Sequence, residues 1–171
     1  FILSFGCPIL DGWDAAGRMF SAYAGFKKNV ELVQIEHRLS NTASMANRWL
    51  PAKPGTEGAL ALGLAHVIVR DKLYNKDFVE NFSSGFEDWE DENGNKHKGY
   101  RSLLKNYPPD KVSEITGVDS DIIQSVARAY AKSRRPIAIS GGLIQGGIDE
   151  AMAIHALNAL VGNINKSGGV T

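Results

Sequence analysis

The sequence contains a single cysteine, Cys7, among 171 residues. An internal disulfide is therefore excluded, and so is a four-cysteine zinc or iron–sulfur site built from this chain alone. An excess of either charge is also missing, since 19 Lys and Arg balance 19 Asp and Glu. A neutral chain lacks the basic footprint that nucleic acid or an anionic membrane surface selects, so neither is expected as a partner. Direct membrane insertion is not expected either, because no apolar run reaches the roughly 18–20 residues that cross a bilayer. No basic stretch leads into an apolar core as in a signal peptide. There is no period of roughly 20–50 residues to mark a repeat array. The glycines form neither a Walker A loop nor a Gly-x-Gly-x-x-Gly fingerprint.

What is present describes an ordinary globular chain, with 43% hydrophobic residues and a mean hydropathy of −0.19. This length supports one domain with a real core and is short for a multidomain enzyme. The chain opens at Phe1 inside an apolar run, so it is expected to be a piece of a longer protein.

Short apolar runs alternate with amphipathic segments. Phe1–Phe5, Val30–Ile35, Arg48–Lys53 and Pro136–Ser140 are expected as strands, being rich in β-branched or aromatic residues and closed by Gly, Pro or charge. Helices are expected over Trp13–Lys28, Thr56–Leu73, Asn75–Asn81, Pro109–Thr116, Ser120–Lys132 and Asp149–Val161, where apolar residues recur at helical spacing. Asp119 is placed to cap the fifth of these and Thr56 the second. This alternation predicts an α/β fold: a doubly wound, Rossmann-like parallel sheet with helices on both faces, spanning 1–171 as one domain. A small β-hairpin insertion is expected at about 84–101, around Asn93-Gly94, because both residues tolerate positive φ. Its acidic arm then faces its basic arm. It suits a partner-binding flap or a solvated decoration, and the second is the plainer expectation.

In such sheets ligands bind beyond the carboxyl ends of the strands. The residues there are Gly6, Cys7 and Pro8, then Glu36, His37 and Arg38, then Lys53 to Glu57, and finally Gly141 to Gly147, which includes Gly142 and Gln145. Glu36 closes the second strand, where a carboxylate can accept from both ribose hydroxyls; a surface salt bridge with Arg38 is the plainer alternative. Pro51 and Pro54 stiffen the approach to the second helix, Gly55 admits a close backbone approach, and Glu57 places a carboxylate at the lip of the turn. That carboxylate either serves the helix dipole or accepts the paired N1–H and N2–H donors of a guanine. A lone Cys7 after a strand is expected to be a small buried hydrophobe. His66 and His155 lie in helical patterns and His97 in the hairpin, where packing or surface roles are expected.

Four segments in order resemble the molybdopterin oxidoreductases of the dimethyl-sulfoxide-reductase type. They are Leu3-Ser-Phe-Gly-Cys-Pro-Ile-Leu10, Val33-Gln-Ile-Glu-His-Arg-Leu-Ser-Asn-Thr-Ala43, Trp49-Leu-Pro-Ala-Lys-Pro-Gly-Thr-Glu57 and Ala156-Leu-Asn-Ala-Leu-Val-Gly-Asn-Ile-Asn-Lys-Ser-Gly-Gly169. Two positions depart from the pattern: His37 replaces a common proline, and Pro8 stands where asparagine is usual. The resemblance implies one domain of a catalytic subunit that holds one guanosine of a bis(molybdopterin guanine dinucleotide) cofactor carrying Mo or W. It assigns cofactor contacts to Gly6, Cys7, Glu36, His37, Arg38, Pro54, Gly55, Thr56, Glu57, Gly142 and Gln145. It places the protein's metal ligand, and any iron–sulfur cluster, upstream of this chain, which carries no catalytic or metal-binding residue of its own. The implied partners are the remaining domains of the same subunit and an iron–sulfur electron-transfer subunit. Two alternatives stay open: a nicotinamide-dependent dehydrogenase domain, and a noncatalytic nucleotide-binding or subunit-interaction module.

Overall fold

The computed structural model describes residues 1–141 and 143–170, without the side chains of 143–146. Its elements, in chain order, are β1 (Ile2–Phe5), α1 (Ala16–Phe26), β2 (Leu32–Ile35), α2 (Asn41–Met45), β3 (Arg48–Leu50), α3 (Glu57–Arg70), α4 (Lys76–Phe82), β4 (Trp89–Glu90), β5 (Lys96–His97), α5 (Tyr100–Leu104), α6 (Pro109–Thr116), α7 (Ser120–Lys132), β6 (Ile137–Ser140) and α8 (Leu143–Leu160). The four long-range strands form one parallel sheet in the order β3-β2-β1-β6. Leu3 faces Val33 on one side and Ala138 on the other, which fixes the register at the sheet centre. The α/β expectation is met, helices and hairpin included.

The two faces of the sheet are covered unequally. Leu3, Phe5, Val33, Ile35 and Leu50 point into the main core, against Leu60, Leu64, Val67 and Ile68 of α3, Ile123, Val126 and Tyr130 of α7, and Ile154 and Leu157 of α8. The opposite face carries a thin cluster of Cys7, Ile9, Leu10 and Leu32 under Met19 and Tyr23 of α1. No residue of α1 is fully buried. The period-two alternation of β1 sends Leu3 and Phe5 to the thick layer and Ile2 and Ser4 to the thin one.

Local signals explain most ends. Asp119 accepts the Asp121 amide and so caps α7, as expected. Pro109 opens α6 and Gly117, at φ 78°, closes it by bonding to the Ser113 carbonyl. Several boundaries differ from expectation. The first helix starts at Ala16 rather than Trp13, with no side-chain cap to extend it. The third strand stops at Leu50, because Pro51 has no amide for the ladder. The last helix breaks at Gly147 (φ 72°, ψ −173°), and its regular part, 148–160, is the expected one. Two short helices, α2 and α5, have too few residues to show a period.

The hairpin forms with Glu90 opposite Lys96 and Trp89 opposite His97. Its turn differs from a two-residue Asn-Gly loop. Gly94 alone takes positive φ, 82°, while the Asp91 carboxylate accepts the Asn93 and Asn95 amides. The aspartate thus organises a longer loop, and the Trp89 and His97 rings stack 4.4 Å apart on its outer surface.

Candidate functional site

β2 and β3 lie on one side of β1, and β6 lies on the other. The gap beyond β1 and β6 is therefore the switch point at which such sheets take ligands. There the backbones meet: Gly6 donates to the Ile35 carbonyl at 2.8 Å, and Gly141 to the Phe5 carbonyl at 2.7 Å. A Cβ on Gly141 would lie 2.4 Å from the Gly6 oxygen, closer than side-chain carbons approach backbone, so only glycine fits. The Cys7 carbonyl accepts from Gln34 Nε2 (3.2 Å) and Ser4 Oγ (3.4 Å), two buried polar groups beneath the loop. The Cys7 thiol is wholly buried, and burial pushes its pKa up to about 12. A thiol that stays protonated is neither a nucleophile nor a thiolate ligand. Cys7 is the small buried hydrophobe the sequence predicts.

Asp11 fastens the same loop to α2. Its carboxylate accepts the Asn41 amide (3.1 Å), the Thr42 amide (2.9 Å) and the Thr42 hydroxyl (2.6 Å). Burial alone would raise its pKa, but the Thr42 and Asn41 bonds outweigh it and hold the carboxyl below its usual value.

Glu36 sits at the end of β2 and is 7% exposed. It forms no ion pair with Arg38 among the described residues; instead its Oε1 accepts the Ser40 hydroxyl, whose oxygen in turn accepts the Ala43 amide and caps α2. The Glu36 carbonyl accepts the Trp49 indole N–H at 2.9 Å, joining the second and third strand ends. Ser40 thus orients the carboxylate, and Trp49 fixes the backbone that carries it. His37 and Arg38 point to solvent.

The turn between β3 and α3 follows from its residues. Thr56 N–H bonds to the Lys53 carbonyl at 3.2 Å, with Pro54 and Gly55 between and Gly55 at φ 75°. This is a type II turn, which takes Pro first and Gly second. Lys53 is pinned to the end of α6: its amide bonds to the Thr116 carbonyl (2.9 Å) and its Nζ to the Glu114 carbonyl (3.0 Å). Thr56 does not cap α3 as expected, because its hydroxyl turns back to the Lys53 carbonyl at 2.6 Å. Pro54 and Gly55 are exposed. Glu57 was expected at an open lip and is instead 4% exposed, with Oε2 buried and without a hydrogen-bond partner among the described residues.

An unpartnered buried carboxylate oxygen costs on the order of 1–3 kcal/mol or more. A ligand that brings N–H donors to this oxygen removes that cost. Gly142 and the Gln145 side chain lie outside the described residues. Among the described residues no group of three or more His, Cys, Asp or Glu is arranged to hold a metal ion. No helix described is long and apolar enough to cross a membrane. His66 is occupied, with Nδ1 2.8 Å from the Leu104 carbonyl. A separate cleft of about 510 Å³ lies against Arg134, Arg135 and Pro136, at the amino end of β6, and none of the candidate residues lines it.

The family model described as molybdopterin oxidoreductase matches residues 13–171. The chain belongs to the molybdopterin oxidoreductase family. Its relatives include the molybdopterin-binding-like subunit of a menaquinone reductase from Nitratidesulfovibrio vulgaris, 34% identical over 99% of the chain and 23% of that protein. The molybdopterin-containing subunit of the arsenate respiratory reductase of Chrysiogenes arsenatis is 32% identical over 99% of the chain and 22% of its own length. Among solved structures, acetylene hydratase from Pelobacter acetylenicus superposes with a TM-score of 0.75 at 28% identity, covering 99% of the chain and 22% of that enzyme. The chain thus spans less than a quarter of these molybdopterin-family relatives. The resemblance carried by the four motifs is correct.

Three contributors to the site escaped sequence reading. Ser40, four residues after Glu36, aims it. Ser4 and Gln34, polar residues interrupting buried strands, hold the first loop. A buried strand interrupted by one polar residue is itself the signal that could have found the latter pair.

Proposed function

We propose that this chain is the nucleotide-anchoring domain of a molybdopterin oxidoreductase catalytic subunit, and that it holds one guanosine of a bis(molybdopterin guanine dinucleotide). The observation that carries this reading is Glu57: a buried carboxylate oxygen without a partner among the described residues, at the start of α3, behind a rigid type II turn. Glu57 would accept the N1–H and N2–H of the guanine. Glu36, oriented by Ser40, would accept the ribose hydroxyls. The close glycine backbones at Gly6 and Gly141, with Cys7 behind them, would form the floor, and His37, Arg38, Pro54, Gly55 and Thr56 the exposed rim. Gly142 and Gln145 would complete the wall from the loop after β6.

When bound, the cofactor supplies two-electron redox chemistry at molybdenum or tungsten. The residues of this chain bind and orient; none transfers a proton or an electron. The domain 1–171, with its hairpin at about 84–101, would be one unit of a larger subunit. Its partners would be the remaining domains and an iron–sulfur electron-transfer subunit. Family membership favours this reading over a nicotinamide-dependent domain. The test is the Trp49 indole, which bonds to Glu36 and reports on the site. With Trp13 and Trp89 replaced by Phe, Trp49 fluorescence should respond saturably to GMP and not to NADH. A response to NADH alone, or to neither, would overturn the proposal.

A further inference from the structure

Glu150 reaches the start of α3 from a different helix. It lies in α8 just beyond the break at Gly147, and its stem covers the first turn of α3. A Cβ built on Gly58 would sit 3.3 Å from both Glu150 Cα and Glu150 Cγ, so only glycine at 58 allows this approach without displacement. The Gly58 backbone lowers the Glu150 pKa and so offsets part of its rise. Gly58 follows Glu57 directly, so two carboxyl groups from α3 and α8 share one helix N-terminus.

That arrangement is costly without a ligand. Burial first, and the Glu57 charge second, disfavour the ionised Glu150 carboxyl. The helix end offsets only part of the repulsion, since its dipole is worth less than a full charge. Glu57 Oε2 meanwhile has no hydrogen-bond donor among the described residues. Two acids and one orphaned acceptor call for a ligand edge with several adjacent N–H donors.

Resting on the assignment of Glu57 to the base, we propose that Glu150 is a second specificity-determining acid of the same site, accepting the exocyclic amine hydrogen of guanine that Glu57 leaves unused. Guanine presents three hydrogens along this edge: one on N1 and two on N2. Hypoxanthine lacks the amine and offers one. Adenine presents an acceptor at N1 and would oppose the carboxylate. Glu57 therefore reads the N1–H and one amine hydrogen, and Glu150 reads the second amine hydrogen and so sharpens the choice of guanine over hypoxanthine.

The experiment is calorimetric titration of the protein with GMP, IMP and AMP in the presence of EDTA. It compares the wild type with Glu57→Gln, Glu150→Gln and Glu150→Ala. Glu150→Gln keeps the stem over Gly58 and turns an NH2 toward the base, so it preserves the helix contact while removing the acceptor. The wild type should prefer GMP to IMP by about tenfold or more, the worth of one hydrogen bond to a charged group. Both Glu150 variants should lose about tenfold in GMP affinity and about none in IMP affinity, so that the preference falls by about tenfold to what Glu57 alone sustains. Equal losses for GMP and IMP would mean that Glu150 only packs the helix, and would overturn the proposal. Glu57-dependent GMP binding with an unchanged GMP to IMP ratio in the Glu150 variants would overturn it alone and leave the Glu57 assignment standing. If GMP fails to bind, or binds regardless of Glu57→Gln, both assignments fall together.

Discussion

Asn158 pairs with Ala138 as the residue of a neighbouring strand would. Its Oδ1 accepts the Ala138 amide and its Nδ2 donates to the Ala138 carbonyl, each at 2.8 Å, and Oδ1 also accepts the Tyr130 hydroxyl at 3.2 Å. β6 is an edge strand, so these two backbone groups have no ladder partner. A side chain from α8 closes the edge, which explains the asparagine inside the otherwise apolar Ala156–Leu160 run. Asn158→Leu should strand three buried polar groups and destabilise the protein by about 3 kcal/mol or more. The melting temperature should fall by about 6–12 °C, since about 2–4 °C accompanies each kcal/mol at this size. Thermal unfolding followed by circular dichroism is the check. A drop under about 2 °C would show the edge groups are satisfied in another way.

Gly63 is the residue that lets α6 lie against α3. A Cβ there would meet the Val112 side chain at 2.8 and 2.9 Å. Gly63→Ala gains about 1 kcal/mol of helix propensity. It also drives a methyl into a wholly buried valine whose χ1 is stiff. The clash should win, with a net loss of about 1–2 kcal/mol. In the Val112→Ala background the same change should become stabilising, because the new methyl fills the space the valine leaves. Urea denaturation of the four proteins of this cycle decides the matter; additive effects would mean the two residues are not in contact.

Legibility in the sequence followed how local each cause is. β1, β2 and β6 are short, mostly apolar runs closed by glycine or charge, and α6 and α7 carry their own caps, so all five could be read from neighbouring residues. The type II turn was written in Pro54-Gly55. What failed was tertiary. Glu57 read as an exposed lip because nothing near it shows that Glu150 folds over its helix end. Asn93-Gly94 read as a turn in which both residues could take positive φ, whereas only Gly94 does and the Asp91 carboxylate holds the loop. Thr56 read as a cap, yet its hydroxyl donates to the Lys53 carbonyl and leaves the helix uncapped. In each case a side chain chose among partners that only the folded chain brings within reach.

Asp71 should make stability fall in acid. It closes α3 between Arg70 Nε and Arg128 Nε, each at 2.8 Å, and so ties α3 to α7. The hydrogen bonds from Arg70 first and Arg128 second bring its pKa down to about 2. The folded value is depressed, so the stabilisation is complete above the ordinary carboxyl range and is lost as pH falls from about 4 toward about 2. Both arginines are partly solvated, so screening cuts the effect to on the order of 1 kcal/mol. Asp71→Asn should be less stable than the wild type near pH 6 and should show a flatter decline below about pH 4. Parallel declines in the two proteins, measured by urea midpoints, would assign acid sensitivity to other carboxyls.

Glu57 should trade stability for binding. A structural acid at a helix start stabilises by about 0.3–1 kcal/mol through the dipole. Glu57 carries a larger opposing burden, a buried oxygen unpartnered among the described residues and the like charge of Glu150. Removing the charge by Glu57→Gln should therefore raise the melting temperature of the nucleotide-free protein. The same change turns an amide donor toward the N1–H and N2–H of guanine and should weaken GMP binding by about tenfold or more. Glu57→Asp should be milder, because a carboxylate acceptor survives on a shorter stem. Glu36→Ala should weaken GMP binding by a similar factor and spare binding of free guanine, which has no ribose. Thermal melts and GMP titrations on the same preparations test the whole set. A Glu57→Gln protein that melts lower and binds GMP as the wild type does would make Glu57 a plain helix-capping acid, and the nucleoside would have to sit elsewhere.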